Sequence, residues 1–571
     1  MEKNRVKEHI VRIGLLLFIL LPTLMGTFMA SDLTTPLMRF VYLISGVCFY
    51  AFFLVLHKQR TFFYFASAFL LFSAIEIVHL IINHATISIL FVWTIVASER
   101  GEFFELLSAY WIVVVAFIAL WVLYFRLVKR YIPQEFIIPS RRWRYDIGAV
   151  IAVYFVFAIV ALFYNDYRPK WLQQNKEDVR TTAFVGAEKF SPVNMVLAAH
   201  SLCTILHDLH KQQNALENYS FGLTPDYNGD DVVVLLIGET SRYDHWQING
   251  YERQTSPRLA ARGEQIITFD SCYTIANLTT ICVPFMLSPA TPNEPQRFYN
   301  EKSVVEAFDE AGFHTAWIAD QSFGNSFLQR IARTCEYCYY PMDNQPEMKD
   351  TVLLAPFSEV LNQSGKQLIV LHSLGCHFKY SSRYTDEYRV YMPDLSMMKM
   401  LDLLKVRDNK KGNFIGDQSK LNELRKVLVN SYDNGILYTD FIVDTVISMI
   451  EQTNRSAVLV YVGDHGENLL DDERNMFLHG TYQNSKYESH VPLFVWMSDK
   501  YQLRYPEQAA AVKSNTHKTF STMTLFHSLL ELGQVPYSGI DTTESFANPA
   551  LTNHDVLYGL DANLKMMEIE R

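Results

Sequence analysis

The stretch AVLVYVGDHGEN, residues 457–468, decides the fold. Its first six residues are apolar or β-branched, and the run ends at Gly463. A continuous run of this kind suits a strand buried on both faces, as in parallel sheets. Asp464, His465 and Glu467 come directly after it. In open α/β sheets ligands bind outside the carboxyl ends of the strands, where this turn would lie. Working outward, similar runs occur at VVVLLI (232–237), HTAWIA (314–319), QLIVLH (367–372) and PLFVWM (492–497). Helical segments lie between them, for example 303–311, 325–334 and 420–452. Alternating runs of this kind predict an α/β domain with a mainly parallel sheet.

Three of these runs end in residues that can bind a metal. Gly238 and Glu239 come after VVVLLI, SLGCH ending in His377 comes after QLIVLH, and Asp464 with His465 comes after AVLVYV. Glu, Asp and His are ligands for a zinc-type divalent ion. A single such turn is equally well explained by a capping Asp or a surface His. Three in one sheet, in a chain with 17 histidines, favour a metal site. His479, in FLHGTY, is a further candidate. The polar segment SCYTIANLTTICVPFM (271–286) reads as a nucleophile turn. A threonine hydroxyl is a poor nucleophile unless a metal or base lowers its pKa. The plainer role for Thr279 and Thr280 is a helix N-cap, and the two roles are compatible.

The other half of the chain is unlike this one. Over 571 residues the net charge is -10, with 49% hydrophobic and 19% charged residues. A mean hydropathy of +0.03 is too apolar for an ordinary soluble domain and too polar for spans alone. The mild acidity argues against nucleic acid as a partner. Apolar stretches at 13–30, 40–56, 62–83, 109–125 and 146–164 each approach the ~20 residues of a bilayer-spanning helix. Four such stretches after the first, and no small-residue cleavage site, argue against a signal peptide. Lys and Arg concentrate before the first stretch, after the second and after the fourth. The positive-inside rule then puts the N-terminus in the cytoplasm and everything after residue 165 outside it. The domains expected are a five-helix transmembrane domain (1–164), a bridge (165–229) and a catalytic α/β domain (230–571). Loop 84–108, half apolar and then acidic, reads as a helix at the outer membrane surface or a packed connector. Glu76 and His79 are intramembrane ionisable residues, expected to reach the interface at the outer end of their span.

Several of these segments together carry a family resemblance. GETSRYDHWQINGYERQTSPRL (238–259), the threonine turn ending CVPFMLS, HSLGCHFKY (372–380), YDNGILYTD (432–440), GDHGEN (463–468), LHG (478–480) and HVPLFVW (490–496) resemble the phosphoethanolamine transferases of Gram-negative bacteria. These are inner-membrane enzymes of the alkaline phosphatase superfamily, with five N-terminal spans before an α/β periplasmic domain. The resemblance implies that Glu239, Asp464 and His465 bind zinc, and that Thr279, five residues before Pro284, is the zinc-bound nucleophile. It implies that His377 and His479 contact the transferred phosphate group. One zinc site is implied, with a second left open. The implied donor is phosphatidylethanolamine and the implied acceptor lipopolysaccharide, with the chain acting as a monomer. WIADQSFGN (317–325) lacks the lysine of the lipid A-modifying branch and resembles the core-modifying branch. This makes Gln321 a candidate substrate contact and a core heptose the favoured acceptor, ahead of a lipid A phosphate.

Cys272 and Cys282 flank Thr279, and Cys335 lies three residues before Cys338. In an oxidising compartment both pairs are expected to form disulfides, Cys203 and Cys376 staying free. A zinc knuckle at the second pair would need a second CxxC. Two other functions compete. A sulfatase needs Cys or Ser followed by x-Pro-x-Arg, and here Met286 stands where Arg is required. A metal-dependent phosphodiesterase that hydrolyses its intermediate shares the motifs for transfer. A non-catalytic membrane sensor would be missing ligands, yet Glu239, Thr279, Asp464 and His465 are all present.

Overall fold

The computed structural model describes residues 2–30, 32–33, 35–83, 85–89, 91–92, 111–164, 189–203, 216, 218–320, 327–340, 349–397, 418–480, 485–561 and 566–571. Gln321, most of the surface helix expected in 84–108, and residues 165–188 and 204–215 of the bridge lie outside them. The chain divides into two compact units, formed mainly by residues 1–206 and 207–571.

The first unit is helical. Its helices are α1 (Glu2–Met29), α2 (Pro36–Leu56), α3 (Gln59–Ser67), α4 (Leu70–Asn83), α5 (Trp111–Tyr131), α6 (Arg141–Tyr164) and α7 (Val193–Cys203). Thr35 starts α2 by accepting the Met38 N–H, with Pro36 in the first turn, where a missing N–H costs nothing. Helix α1 packs on α2, α4 and α5, and α2 also packs on α6. Leu15, Ile19, Tyr50, Phe62, Phe63 and Tyr124 form the interior. Ile10, Phe28, Phe40 and Val150 face outward, as lipid-facing side chains do.

Five spans are expected, and helices occupy all five places. Among the described residues two helices are long and apolar enough to cross a membrane, 6–29 and 36–56, and a bent pair, 59–67 with 72–81, counts as a third if it forms one span. The third stretch is not continuous because it breaks after Ser67. The Ser67 hydroxyl donates to the Tyr64 carbonyl (2.6 Å), and the Ala68 N–H donates to Phe65 O at 3.1 Å. This is a tightened 3₁₀-type closure, after which the axis turns by 58°. Glu76 and His79 are enclosed by protein. Both are buried, and Glu76 accepts a hydrogen bond from Asn194 Nδ2 (2.7 Å). Asp32 pairs with Lys189 and accepts the hydroxyl and backbone N–H of Thr86.

The second unit is built on a seven-stranded sheet. Its strands are β1 (Val232–Gly238), β2 (Ile266–Phe269), β3 (Ser271–Tyr273), β4 (His314–Ala319), β5 (Tyr337–Tyr339), β6 (Gln367–His372), β7 (Ala457–Gly463), β8 (Asn468–Leu469), β9 (Phe477–Leu478), β10 (Leu493–Met497), β11 (Thr519–Ser521), β12 (Tyr558–Leu560) and β13 (Met566–Glu568). The main sheet runs β2-β10-β7-β1-β6-β4-β5. All pairs from β7 to β5 are parallel, while β10 is antiparallel to both β7 and β2. The expected PLFVWM strand is therefore present but reversed. Every residue of β1 and β7 is buried, as their uninterrupted apolar runs require. On one face the core is covered by the helix Gln418–Thr453, through Tyr432, Ile436, Val443 and Ile447. These lie on one side of a 3.6-residue period. Fully burying such a side chain stabilises the fold by about 1.5–3 kcal/mol.

Candidate metal centre

Strands β7, β1 and β6 are neighbours, and their register pairs Gly238 with Gly463 and Ile237 with His372. The residues just past these strand ends thus emerge at one level of the sheet. Glu239, Asp464 and His465, all buried, bring one ligand atom each within 4.8 Å of one another. Thr279 begins the helix α8 (Thr279–Met286). Its Oγ1 donates to Glu239 Oε2 at 3.0 Å and lies 3.3 Å from His465 Nε2. The four residues singled out in the sequence for metal and nucleophile therefore converge. Leu278, not a threonine, is the helix N-cap, so the Thr279 side chain turns inward instead of capping.

The cluster is held from behind. Thr240 adopts φ 56°, unusual for a β-branched residue. This aims its N–H at Asp464 Oδ1 (2.9 Å) and its hydroxyl at Glu239 Oε1 (2.7 Å). Strain of this kind persists where surrounding contacts fix it. Here Tyr432 supplies them, donating its hydroxyl to Thr240 O (2.6 Å) and accepting the Arg242 N–H (2.8 Å). His465 Nδ1 meets Gly466 O at 2.9 Å, which leaves Nε2 toward Thr279. Gly466 donates its N–H to Glu488 O (2.7 Å), and a Cβ there would come within 2.1 Å of Tyr487 O. The Glu488 side chain accepts from Asn277 Nδ2 (2.8 Å), so this one residue ties the segment before Thr279 to the GDHGEN turn, through its side chain and its backbone carbonyl.

The electrostatics suit a cation. Asp464 Oδ2 is buried with no hydrogen-bond partner among the described residues. Burial disfavours the His465 imidazolium, but the carboxylates of Asp464 and Glu239 outweigh it and raise the pKa. Two carboxylates, one imidazole and one hydroxyl, with an orphaned carboxylate oxygen, fit a zinc-type ion.

His377 and His479 stand at the half-buried mouth. The His479 ring centroid lies 4.4 Å from that of His465 and 5.9 Å from that of His377. Burial pulls both pKa values down to about 3, so both rings are neutral. The short hairpin β8–β9 delivers His479, with Leu478 at φ 68° just before it. Its Nδ1 lies 3.3 Å from Glu467 Oε1, and burial raises the Glu467 pKa to about 8. The turn bearing His377 is anchored twice. Leu374 and Gly375 donate N–H groups to Asp350 (2.7 and 3.1 Å), and Cys376 donates to Glu239 O (3.1 Å). Gly375 has φ +45°, and a Cβ there would sit 2.7 Å from Glu239 O.

Sequence alone assigns no role to three supporting residues. Glu467 lies inside the GDHGEN segment, two residues after His465, and that position is its only signal. Arg242, within GETSRYD, is buried and donates to Asp244, Asp471 and the Glu467 carbonyl. Asp350 has no motif around it.

The disulfide expectations fail. All seven cysteines are free thiols, including Cys272, Cys282, Cys335 and Cys338. Cys272 is committed to β3, which pairs with β11, while Cys282 points into the interior from α8. Burial raises the Cys272 and Cys282 thiols, the latter to about 12. Cys335 follows the helix that ends at Thr334, Cys338 lies in the middle of β5, and no bond joins the two.

Comparison with known proteins fits this geometry. The sulfatase family matches residues 231–535, more than half of the chain. A Kdo(2)-lipid A phosphoethanolamine 7''-transferase of Salmonella typhimurium is 30% identical over 385 residues, 65% of this chain and 63% of that protein. The chain thus spans less than two thirds of that relative's length. Among solved structures, the integral membrane lipooligosaccharide phosphoethanolamine transferase A of Neisseria meningitidis shares the fold, with a TM-score of 0.68 and 20% identity over 93% of this chain and 97% of that one. The periplasmic domain of Escherichia coli EptC, solved in complex with Zn, has a TM-score of 0.51 and 24% identity over 61% of this chain and 96% of that one. With its sheet and strand-end cluster inside the matched region, the chain belongs to the sulfatase family and is similar there to proteins named phosphoethanolamine transferases.

Proposed function

We propose that this chain transfers phosphoethanolamine from phosphatidylethanolamine to lipopolysaccharide, through a covalent intermediate on Thr279. The observation that carries the reading is Thr279 Oγ1, 3.0 Å from Glu239 and 3.3 Å from His465 in a cluster completed by Asp464. The names of the relatives support the reaction, and the zinc complex of a structural neighbour supports the metal. Glu239, Thr279, Asp464 and His465 would hold the ion. Bound there, zinc would supply Lewis acidity and favour the threonine alkoxide.

The residues of the chain do the rest. Glu239 Oε2 already accepts the Thr279 hydroxyl hydrogen and is placed to take its proton. Thr279 Oγ then bonds to phosphorus as the bond to the diacylglycerol oxygen breaks, and that oxygen leaves as the alcohol after taking a proton from water. His377 and His479 face the equatorial oxygens as neutral rings, where hydrogen bonds count most as charge develops. Glu467 engages Nδ1 of His479 and leaves its Nε2 for substrate. An acceptor oxygen next attacks the phosphorus and gives up any proton to water, while the bond to Thr279 Oγ breaks and Glu239 returns the proton to the threonine. The absence of a lysine from 317–325 favours a core heptose hydroxyl over a lipid A phosphate.

The same reading places the chain in the inner membrane with five spans and its catalytic unit in the periplasm. The helices at all five apolar stretches and the basic loops support this. A reporter fused after residue 571 should be active only outside the cytoplasm; a cytoplasmic signal would refute the topology. For the reaction, the test is mass spectrometry of lipopolysaccharide from cells with and without the gene. A gain of phosphoethanolamine on core sugar supports the reading, and a gain on lipid A corrects the acceptor. No change favours a phosphodiesterase, the second reading that sulfatase-family membership leaves open.

A further inference from the structure

Behind the turn that carries His377 lie two buried carboxyls that the transfer chemistry does not use. Asp350, 2% exposed, spends both oxygens on the Leu374 and Gly375 N–H groups. Asp320, 5% exposed, closes β4 and donates its N–H to His372 O (3.0 Å) at the end of β6. The two carboxyls interact electrostatically, and Asp320 Oδ2 is buried without a hydrogen-bond partner among the described residues. Two carboxylates buried side by side repel each other, which favours the pair keeping one proton between them. Arg383 and Lys349 are the charged groups facing the pair, and Cys376, Tyr438 and Tyr461 face Asp350 as neutral thiol and phenols. Arg383 also donates to the carbonyls of His377 (3.2 Å) and Phe378 (2.8 Å), so the cation nearest the pair grips the same turn.

We infer that Asp350 is a positioning residue for His377, and that the proton it shares with Asp320 keeps the His377 turn in register with Glu239. The coupling is mechanical. Asp350 fixes residues 374 and 375, Gly375 lies against the Glu239 backbone with no room for a side chain, and Cys376 donates to the Glu239 carbonyl. With the proton present the pair holds one negative charge, which Arg383 and two N–H groups offset. Without it, two adjacent charges share a dry site, and the turn must shift to admit water. Burial, and then the charge of Asp350, raise the Asp320 pKa to about 8, so the hold is lost on the alkaline side.

This inference rests on the proposed role of His377 in transfer. The test uses the zinc-loaded full chain in detergent with phosphatidylethanolamine in mixed micelles. Asp350→Asn keeps one acceptor oxygen of two, and kcat should fall by about 100-fold with KM within about twofold. Asp320→Asn supplies Asp350 with a donor at every pH, so the alkaline fall in kcat expected of the wild type should be absent from this variant. Infrared difference spectra should show a protonated carboxyl band in the wild type that Asp320→Asn removes. A wild-type profile flat through the alkaline range, or an alkaline fall that persists in Asp320→Asn, overturns the shared proton. A loss in Asp350→Asn expressed as KM rather than kcat overturns the positioning role. If Asp350→Asn fails to fold, the Asp320→Asn profile and the infrared band still decide. If the wild type transfers nothing, the functional reading fails, and the infrared band tests the pair by itself.

Discussion

Replacing Thr279 by Ala removes the one hydroxyl that reaches both Glu239 and His465. The stability cost should be small. A hydrogen bond to a charged group contributes about 1.5–3 kcal/mol. A bound metal would compensate Glu239 for much of that. The chemical cost should be large, since loss of a nucleophile typically removes about ten-thousandfold or more in kcat, or at least about 5 kcal/mol of barrier lowering. Thr280 is the control, because its side chain makes no hydrogen bond among the described residues. Thr280→Ala should therefore change kcat by no more than about threefold. Thr279→Ser keeps the oxygen but loses the stiff β-branched rotamer, and should lose about tenfold. The assay follows release of diacylglycerol from a fluorescent phosphatidylethanolamine, with intact-protein mass spectrometry for the covalent adduct. If Thr279→Ala stays active and Thr280→Ala does not, the nucleophile is one residue away. An adduct that survives Thr279→Ala would refute the intermediate itself.

Chelation should abolish transfer and zinc should restore it, while Asp464→Asn lowers bound zinc, as elemental analysis of the purified protein would show. Arg242→Ala should destabilise the catalytic unit by about 3–5 kcal/mol, because Asp471 is left charged and buried, and thermal unfolding checks this. Asp440, which accepts the Arg258 and Leu259 N–H groups, has its pKa raised to about 7, chiefly by burial. Its folded pKa lies above its unfolded one, so its contribution is full below about pH 4 and is lost as pH rises through about 7, by up to about 4 kcal/mol. Denaturant midpoints should fall across that window in the wild type and flatten in Asp440→Asn.

Much of the catalytic unit is legible in the sequence because its signals are local. An uninterrupted apolar run marks a buried strand, and a polar turn after it marks the rim. Glu239, Asp464, His465 and Thr279 can therefore be named without any distance. Strand direction is not legible, since PLFVWM reads the same whether β10 runs parallel or antiparallel. The supporting residues are hidden for a related reason. Asp350 meets the His377 turn 24 residues further along the chain, and Arg242 meets Asp471 across 229. No short motif records such pairings. The break after Ser67 depends on one hydroxyl turning back onto its own helix, which hydropathy does not register. The cysteine pairs are close in sequence and still unbridged, so nearness along the chain does not make a bridge.

The cysteines matter for how the protein is made. With all seven thiols unpaired, no part of the described fold waits for oxidation. A chain leaving the translocation machinery could complete its catalytic unit by collapse alone, ahead of any thiol oxidase or isomerase. Supply of active protein would then track membrane insertion and metal availability. Growth under reducing conditions, which starves disulfide-stapled neighbours in the same compartment, would leave this fold untouched.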